Sequence, residues 1–224
     1  MDIVKGNTHS YLGMNLTINR EKRIVEIEMK QQLLETIDAF DGDVNTEVVS
    51  PAAKHIFDTR DNDVSKLSKE KAENFHHVTA KLLHIMKRAR PDIEIPVVFL
   101  CTRVREPDED NWKKLHRVLC WIKGTIDEVR YVGADDLSKL YTWVDAAYAV
   151  HPNMRSHTGG SISMGTGLIH CKSTRQKLNT KSSTEAELVG VSDYLPYNIW
   201  LMHFMKSQGY EIEVNVLYQD NQSQ

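Results

Sequence analysis

The sequence predicts an α/β fold, and three patterns carry that prediction. β-prone runs with apolar–polar alternation occur near both ends, at residues 24–29 and 211–218. Between them apolar residues recur at helical spacing, as in Trp112, Leu115, Leu119 and Ile122. In the second half the elements run strand, strand, strand, helix, strand, which mixes both classes of element.

In the first half, residues 11–18 are β-prone, Asn19-Arg20-Glu21-Lys22 is a polar turn, and residues 24–29 alternate again, so a hairpin is expected. Leu33, Leu34, Ile37 and Phe40 give a short helix over 30–40. Residues 41–71 turn polar and charged and read as a long surface loop or mobile linker. Phe75, Val78, Leu82, Ile85 and Met86 stripe a helix over 69–88 that Pro91 ends. Residues 92–105 fit a helix through Ile93, Val97, Leu100 and Val104, or a buried strand through Ile-Pro-Val-Val-Phe-Leu; the helix is favoured. The helix through Trp112 takes Asn111 as its cap and Gly124 as its end.

In the second half, residues 139–150 read as a strand, and 160–164 and 168–171 as two short strands joined by Gly165-Thr166-Gly167. Thr184 with Glu187 has capping-box spacing. It opens a helix whose stripe is Leu188, Val191, Leu195, Ile199 and Met202, with Pro196 expected to kink or break it. A strand over 211–218 follows. The expected division is a hairpin-and-helices region over 1–136 and a mixed-sheet region over 137–224.

Composition narrows the function classes. The 224 residues suffice for one large or two modest domains. Apolar content of 41% and charged content of 26% are ordinary for a globular protein. A net charge of −3 gives no global basic field, so nucleic-acid binding needs a local patch. Cys101, Cys120 and Cys171 lack metal-ligand spacing and read as free thiols of a reducing compartment. The longest apolar run, residues 95–101, is too short for a bilayer, and residues 1–5 lack a signal-peptide core. A soluble intracellular chain without membrane association is expected, in cytoplasm or nucleus. Trp112, Trp121 and Trp200 are expected in the core, and the histidines show no ligand spacing.

Three acids carry the functional signal: Asp145 in Thr-Trp-Val-Asp-Ala, Glu187 in Ser-Ser-Thr-Glu-Ala-Glu-Leu, and Asp220 in Leu-Tyr-Gln-Asp-Asn-Gln. Two end β-prone runs and one opens a helix, so side-by-side packing would bring the carboxylates together. Converging carboxylates repel and call for hard divalent cations such as Mg²⁺. Each acid also has a local reading. Asp145 could face solvent on an edge, Glu187 could serve the capping box while Glu185 takes its place, and Asp220 could be a turn residue. Lys172, Arg175, Lys177 and Lys181 form a basic strip that reads either as a solvated loop or as contacts to backbone phosphates.

In sequence, Trp143-Val144-Asp145-Ala146, Ser156-His157-Thr158-Gly159-Gly160, Lys172-Ser173-Thr174-Arg175-Gln176-Lys177, Ser182-Ser183-Thr184-Glu185-Ala186-Glu187-Leu188 and Tyr218-Gln219-Asp220-Asn221 resemble the ribonuclease H domain of copia-type LTR-retrotransposon polyproteins. Tyr11-Leu12-Gly13-Met14, Arg90-Pro91-Asp92-Ile93 and the stretch from Trp112 to Leu119 with Lys123-Gly124-Thr125 resemble the segment between polymerase and nuclease in the same polyproteins. The resemblance implies an α+β connecting region followed by a ribonuclease H-like mixed sheet, incomplete at its end. It selects Glu187 over Glu185. It implies Asp145, Glu187 and Asp220 as ligands of two Mg²⁺ ions, with Mn²⁺ as a substitute, and hydrolysis of RNA in an RNA–DNA hybrid held by the basic strip.

Two departures qualify that expectation. The polymerase site would lie before Met1, and Tyr131-Val132-Gly133-Ala134-Asp135-Asp136 imitates it with the wrong spacing, so Asp135 and Asp136 read as a surface turn. Ribonuclease H enzymes use a fourth acid, which would follow Gln224. The expectation is a polyprotein fragment of weak or absent activity. The rivals are a non-catalytic nucleic-acid-binding module, a recruited scaffold, and an enzyme completed by another chain. An uncovered sheet edge would favour self-association.

Overall fold

The computed structural model describes residues 5–59 and 64–220. Its strands are β1 (Thr8–Tyr11), β2 (Met14–Asn19), β3 (Ile24–Glu28), β4 (Arg130–Gly133), β5 (Lys139–Ala147), β6 (His157–Ser163), β7 (His170–Arg175) and β8 (Val214–Tyr218). Its helices are α1 (Lys30–Asp38), α2 (Lys69–Met86), α3 (Glu94–Cys101), α4 (Glu109–Gly124) and α5 (Ser183–Ser207). The fold is mixed α/β with two four-stranded sheets, ordered β1-β2-β3-β4 and β7-β6-β5-β8. The chain divides into two compact units: Met1–Thr17 with Ile27–Arg130, and Ile18–Glu26 with Tyr131–Gln224.

The first unit is built on helices. Leu33, Phe75, Val78, Leu82, Ile93, Val97, Leu100, Leu115, Leu119 and Ile122 form its buried core. Each fully buried side chain of this size contributes roughly 1.5–3 kcal/mol. The segment after Pro91 is helical as far as Cys101: a 3-10 turn at Pro91–Ile93 leads into α3, and residues 102–105 are turn. Proline suits that start because its missing N–H is unpaired in a first turn anyway. Arg90 is buried there and clamps Asp92 with two hydrogen bonds of 2.8 and 2.7 Å; it also reaches the Thr125 carbonyl and hydroxyl at 3.1 and 2.6 Å. Trp121 Nε1 donates to the same Asp92 carboxylate at 2.7 Å.

Three expectations for this unit are corrected. Residues 11–18 are not one strand: Leu12 and Gly13 take φ of 50° and 80° and turn the chain between β1 and β2, which pair antiparallel. The cap of α4 is Asp108, and Asn111 is its reciprocal partner inside the helix; Gly124 is the last helical residue. The polar segment after α1 is no free linker in its described part. Val44 and Ile56 are in the core, Arg117 donates to the Ser50 carbonyl at 3.1 Å, and Lys114 donates to the Asp58 carbonyl at 2.6 Å. Two apolar anchors and cationic donors from α4 tie down a strap whose composition reads as loop.

In the second unit β5 is central, antiparallel to β6 and parallel to β8. β7 extends the sheet antiparallel beyond β6. The parallel pair requires a crossover, and α5 supplies it. Leu140, Val144, Ile162, Met164, Tyr194, Leu201 and Met205 make the core.

Of the expected stripe of α5, Val191 and Met202 pack against the core, half-buried, and the rest does not. The helix's buried residues are Ala186, Glu187, Gly190, Tyr194, Asn198, Leu201 and Met205, whereas Leu188, Leu195 and Ile199 are exposed and Trp200 is 62% exposed rather than core. The helix carries large apolar residues on several sides, so periodicity could not choose among them. Close approach chose. A Cβ on Gly190 would meet Ala146 Cβ at 3.4 Å, and one on Gly160 of β6 would meet the Tyr194 ring at 2.3 Å. Small residues therefore face the sheet, and Asn198 enters the core because it bonds Thr142 Oγ1 at 2.7 Å and Asn215 at 2.9 Å. Helix α5 continues through Pro196 without a break. Strand β5 ends at Ala147, short of residue 150, and β6 begins at His157, three residues before the expected Gly160.

Candidate metal centre

Three elements of the second unit position the three acids. In the parallel pair, Lys139 faces Val214 and Trp143 faces Tyr218; the same offset, carried two residues on, sets Asp145 beside Asp220. Trp143 and Tyr218 stack with centroids 5.4 Å apart and planes 15° apart, fixing that register just before the acids. Helix α5 begins over the same sheet and brings Glu187 in from its second turn. One ligand oxygen from each of Asp145, Glu187 and Asp220 lies within 4.8 Å of the others.

The three carboxylates differ in setting. Asp145 and Asp220 are exposed, whereas Glu187 is 7% exposed. Glu187 Oε1 accepts from the Ala146 backbone N–H at 3.0 Å, and Oε2 accepts from Gln219 Nε2 at 3.1 Å. A buried carboxylate is costly without partners, and these two donors supply them. The adjoining helix start adds a favourable field for negative charge. Gln219 is the residue that the sequence reading missed. It stands in the quoted Tyr-Gln-Asp-Asn motif, but an amide beside an acid gives no sign of which carboxylate it holds.

The capping roles fall elsewhere than expected. Ser182 caps α5, accepting from the Glu185 N–H at 3.2 Å, and Glu185 Oε2 accepts from the Lys181 N–H at 2.6 Å. This corrects the Thr184–Glu187 box. Glu185 does the local work at the helix end, and Glu187, two residues on, is free to face the strands.

The donor set fits a hard divalent cation. It is all carboxylate oxygen, it converges from two strand ends and a helix, and two of its three members are open to solvent. No other cluster of three or more such ligands is found among the described residues.

The basic strip is divided. Lys172, Arg175 and Lys177 line one small cavity of about 170 Å³ with Thr158, Thr174, Asp193, Tyr194 and Tyr197. Lys181 is not among its lining residues and lies just before the α5 cap. Asp135 and Asp136 stand apart from the acid cluster. Asp135 accepts from the Thr166 hydroxyl at 2.7 Å. The Ser138 backbone N–H and hydroxyl hold the Asp136 carboxyl down to about 2. His151 and His157, unremarkable by spacing, share a 2.9 Å hydrogen bond in the interior, and His157 reaches Ser173 Oγ at 2.6 Å. Burial, aided by the Arg175 charge, pushes the His151 imidazole below its ordinary range. None of Cys101, Cys120 and Cys171 is in a disulfide.

Comparison with known proteins gives a consistent picture. The chain is 26% identical to the retrovirus-related Pol polyprotein from transposon TNT 1-94 of Nicotiana tabacum, over 97% of this chain and 17% of that protein. It is 29% identical to the corresponding polyprotein from transposon RE2 of Arabidopsis thaliana, over 62% of this chain and 10% of that protein. An uncharacterized mitochondrial protein of Arabidopsis thaliana is 32% identical over 47% of this chain and 44% of its own length. The chain thus spans less than a fifth of the polyproteins it matches. No family model matches it. No solved structure matches it significantly. Site geometry aside, sequence similarity along nearly the whole chain makes this protein a homologue of the copia-type, retrovirus-related Pol polyproteins of transposons.

Proposed function

We propose that the second unit is a ribonuclease H-like domain whose three carboxylates are the metal-binding part of a site for cleaving RNA in RNA–DNA hybrids, and that its activity is weak. The observation that carries this reading is the convergence of Asp145, Glu187 and Asp220 to within 4.8 Å. A strand end, a helix start and a strand exit supply one acid each, in the places that the retrotransposon resemblance names.

Divalent ions bound there would supply a water of lowered pKa and neutralise charge on the departing oxygen. The chain's own residues do the rest. Ala146 and Gln219 hold Glu187 in one orientation, so its carboxylate does not have to be ordered when a substrate arrives. Asp145 and Asp220 stay exposed, which leaves a face on which a phosphodiester can settle. Lys172, Arg175, Lys177 and Lys181 are the proposed backbone contacts, which would position a hybrid without reading its sequence. Weak activity follows from the ligand count. Ribonuclease H enzymes use four acids, and this cluster has three among the described residues. Among the described residues β8 is also a sheet edge, a place where a complementing chain or a second copy would add. In this reading the connecting region is 1–136 and the nuclease-like region 137–224; the compact units are cut differently, the second also taking residues 18–26 and 131–136.

The test is cleavage of a labelled RNA–DNA hybrid by the purified chain with about 5 mM Mg²⁺ or Mn²⁺, a level suited to weak carboxylate sites. Little or no product is expected from the wild type, and none from Asp145→Asn. Robust cleavage abolished by Asp145→Asn would disprove weak activity and keep the site. Robust cleavage indifferent to Asp145, Glu187 and Asp220 would remove the site.

A further inference from the structure

Beside α5 and the outer strands of the second unit, a cavity of about 170 Å³ gathers three cations and several hydroxyls. Lys172, Arg175 and Lys177 line it, and none of the three is paired with a carboxylate among the described residues. Asp193 is the one acid in the lining, so the cavity carries a surplus of positive charge. Its walls are stiff. His170 stacks on Tyr197 with centroids 4.9 Å apart, and His170 Nδ1 bonds the Tyr194 hydroxyl at 2.9 Å. Lys172 Nζ sits 4.4 Å from the centre of the Tyr197 ring and also donates to the Tyr197 hydroxyl. The buried Thr158 Oγ1 accepts from Gln176 Nε2 at 3.0 Å, which leaves its own hydrogen to donate.

Unpaired cations and fixed hydroxyl donors in a cavity of this size match one compact oxyanion. Arginine and lysine together suit a phosphate, which accepts several charge-assisted hydrogen bonds at once. The cavity is also placed along α5 from the acid cluster. Asp193 lies six residues past Glu187 and Tyr197 ten, hence about 9 and 15 Å along the helix axis. Thr158, also in the lining, pairs with Ala146 beside the acids, so the cavity runs from their level to about 15 Å along α5, a span of up to roughly four nucleotides at about 3.4 Å each.

We propose that this cavity seats a single phosphate group, that of a nucleic-acid strand bound with its scissile bond at the acid cluster. The inference rests on the nucleic-acid reading above for the source of the phosphate, and on the cavity alone for its chemistry. It separates the basic strip into a specific seat, made by Lys172, Arg175 and Lys177, and Lys181, which stands outside the cavity.

The test uses the full chain in EDTA, so that the acid cluster binds no metal. Two-dimensional NMR follows Thr158, Lys172 and Tyr194 as inorganic phosphate is added, and hybrid affinity is measured with a neutral methylphosphonate placed at each backbone position in turn. Phosphate is expected to shift those resonances. One methylphosphonate position is expected to cost about tenfold in affinity. The exposed pair Arg175→Gln with Lys177→Ala should lose both effects while keeping the wild-type spectrum elsewhere. Shifts with inorganic phosphate but no sensitive backbone position would support the seat with free phosphate as its source and overturn the nucleic-acid source. Hybrid binding with neither phosphate shifts nor a sensitive position would overturn the seat and leave the nucleic-acid reading standing. Unchanged behaviour of the double variant would overturn the seat as well.

Discussion

Glu187 and Glu185 stand two residues apart and carry the same charge, yet their surroundings give them different work. Glu185 closes the end of its own helix by accepting from Lys181 N–H, and Glu187 is buried against β5 and bonded by Ala146 and Gln219. Without metal, Asp145, Glu187 and Asp220 repel across less than 4.8 Å. Asp145→Asn and Asp220→Asn are therefore expected to raise Tm by about 2 °C in EDTA. Millimolar Mg²⁺ should reverse the order, because an ion that binds the folded state stabilises the wild type alone. Calorimetry in both buffers checks this, and variants that melt below the wild type in EDTA would refute the repulsion. Asp92 is a second informative residue. Burial would raise its carboxyl, but the hydrogen bonds from Arg90 and Trp121 outweigh that and hold it below the usual carboxylate range. A depressed carboxyl stabilises fully above its unfolded pKa of about 3.9, and that contribution is lost as pH falls through the folded value. Asp92→Asn should cost about 2 kcal/mol near neutrality, less than a wholly buried pair because Asp92 is 37% exposed. The gap between variant and wild type should close in acid, as denaturant midpoints at pH 7 and below pH 4 would show.

At the scale of elements, the seating of α5 decides the site. Glu187 reaches the strands because Ala186 and Gly190 let the helix approach and because Tyr194 lies flat where Gly160 leaves room. Gly160→Ala drives a Cβ to 2.3 Å of the Tyr194 ring, so the helix must lift or the ring must turn. A loss of about 1–3 kcal/mol is expected, with weaker Mg²⁺ binding although no ligand is changed. Urea unfolding together with isothermal titration reads both quantities. Metal affinity equal to the wild type would show that the seating of α5 does not position Glu187. The same element shows where sequence reading stops. Asp145, Glu187 and Asp220 were legible as motifs, and so were β5, β8 and the start of α5. The buried stripe of α5 was not, since Leu188, Leu195 and Ile199 have the right spacing but the wrong side. Gln219 and the His151–His157 pair were not legible either, because hydrogen-bond partners distant in sequence leave no local pattern.

At the scale of the whole molecule, two compact units each carry their own hydrophobic core. Among the described residues no helix is long and apolar enough to cross a membrane. Among the described residues β8 is a sheet edge, and the outer side of α5 exposes Leu195, Ile199, Trp200 and Phe204, with the two aromatic rings stacked 5.5 Å apart. Contiguous apolar surface of this kind favours association. Sedimentation velocity should show a mass that grows with protein concentration, and Trp200→Glu should reduce that growth. A monomer at all concentrations would show that the exposed stripe and edge tolerate water.

The sequence by itself determined the α/β class, the helical core of the first half, the order of elements in the second, and the three acids with their kinship to retrotransposon polyproteins. These depend on local propensity, periodicity and motif, which neighbouring residues express. Only the tertiary structure decided that the polar strap after α1 is pinned, that Glu185 caps while Glu187 turns inward, and that Lys172, Arg175 and Lys177 surround one cavity apart from Lys181. Apart from the local bonds of Glu185, these turn on which atoms come within a few ångströms across long stretches of chain, and close packing of glycines, rings and buried donors sets those distances.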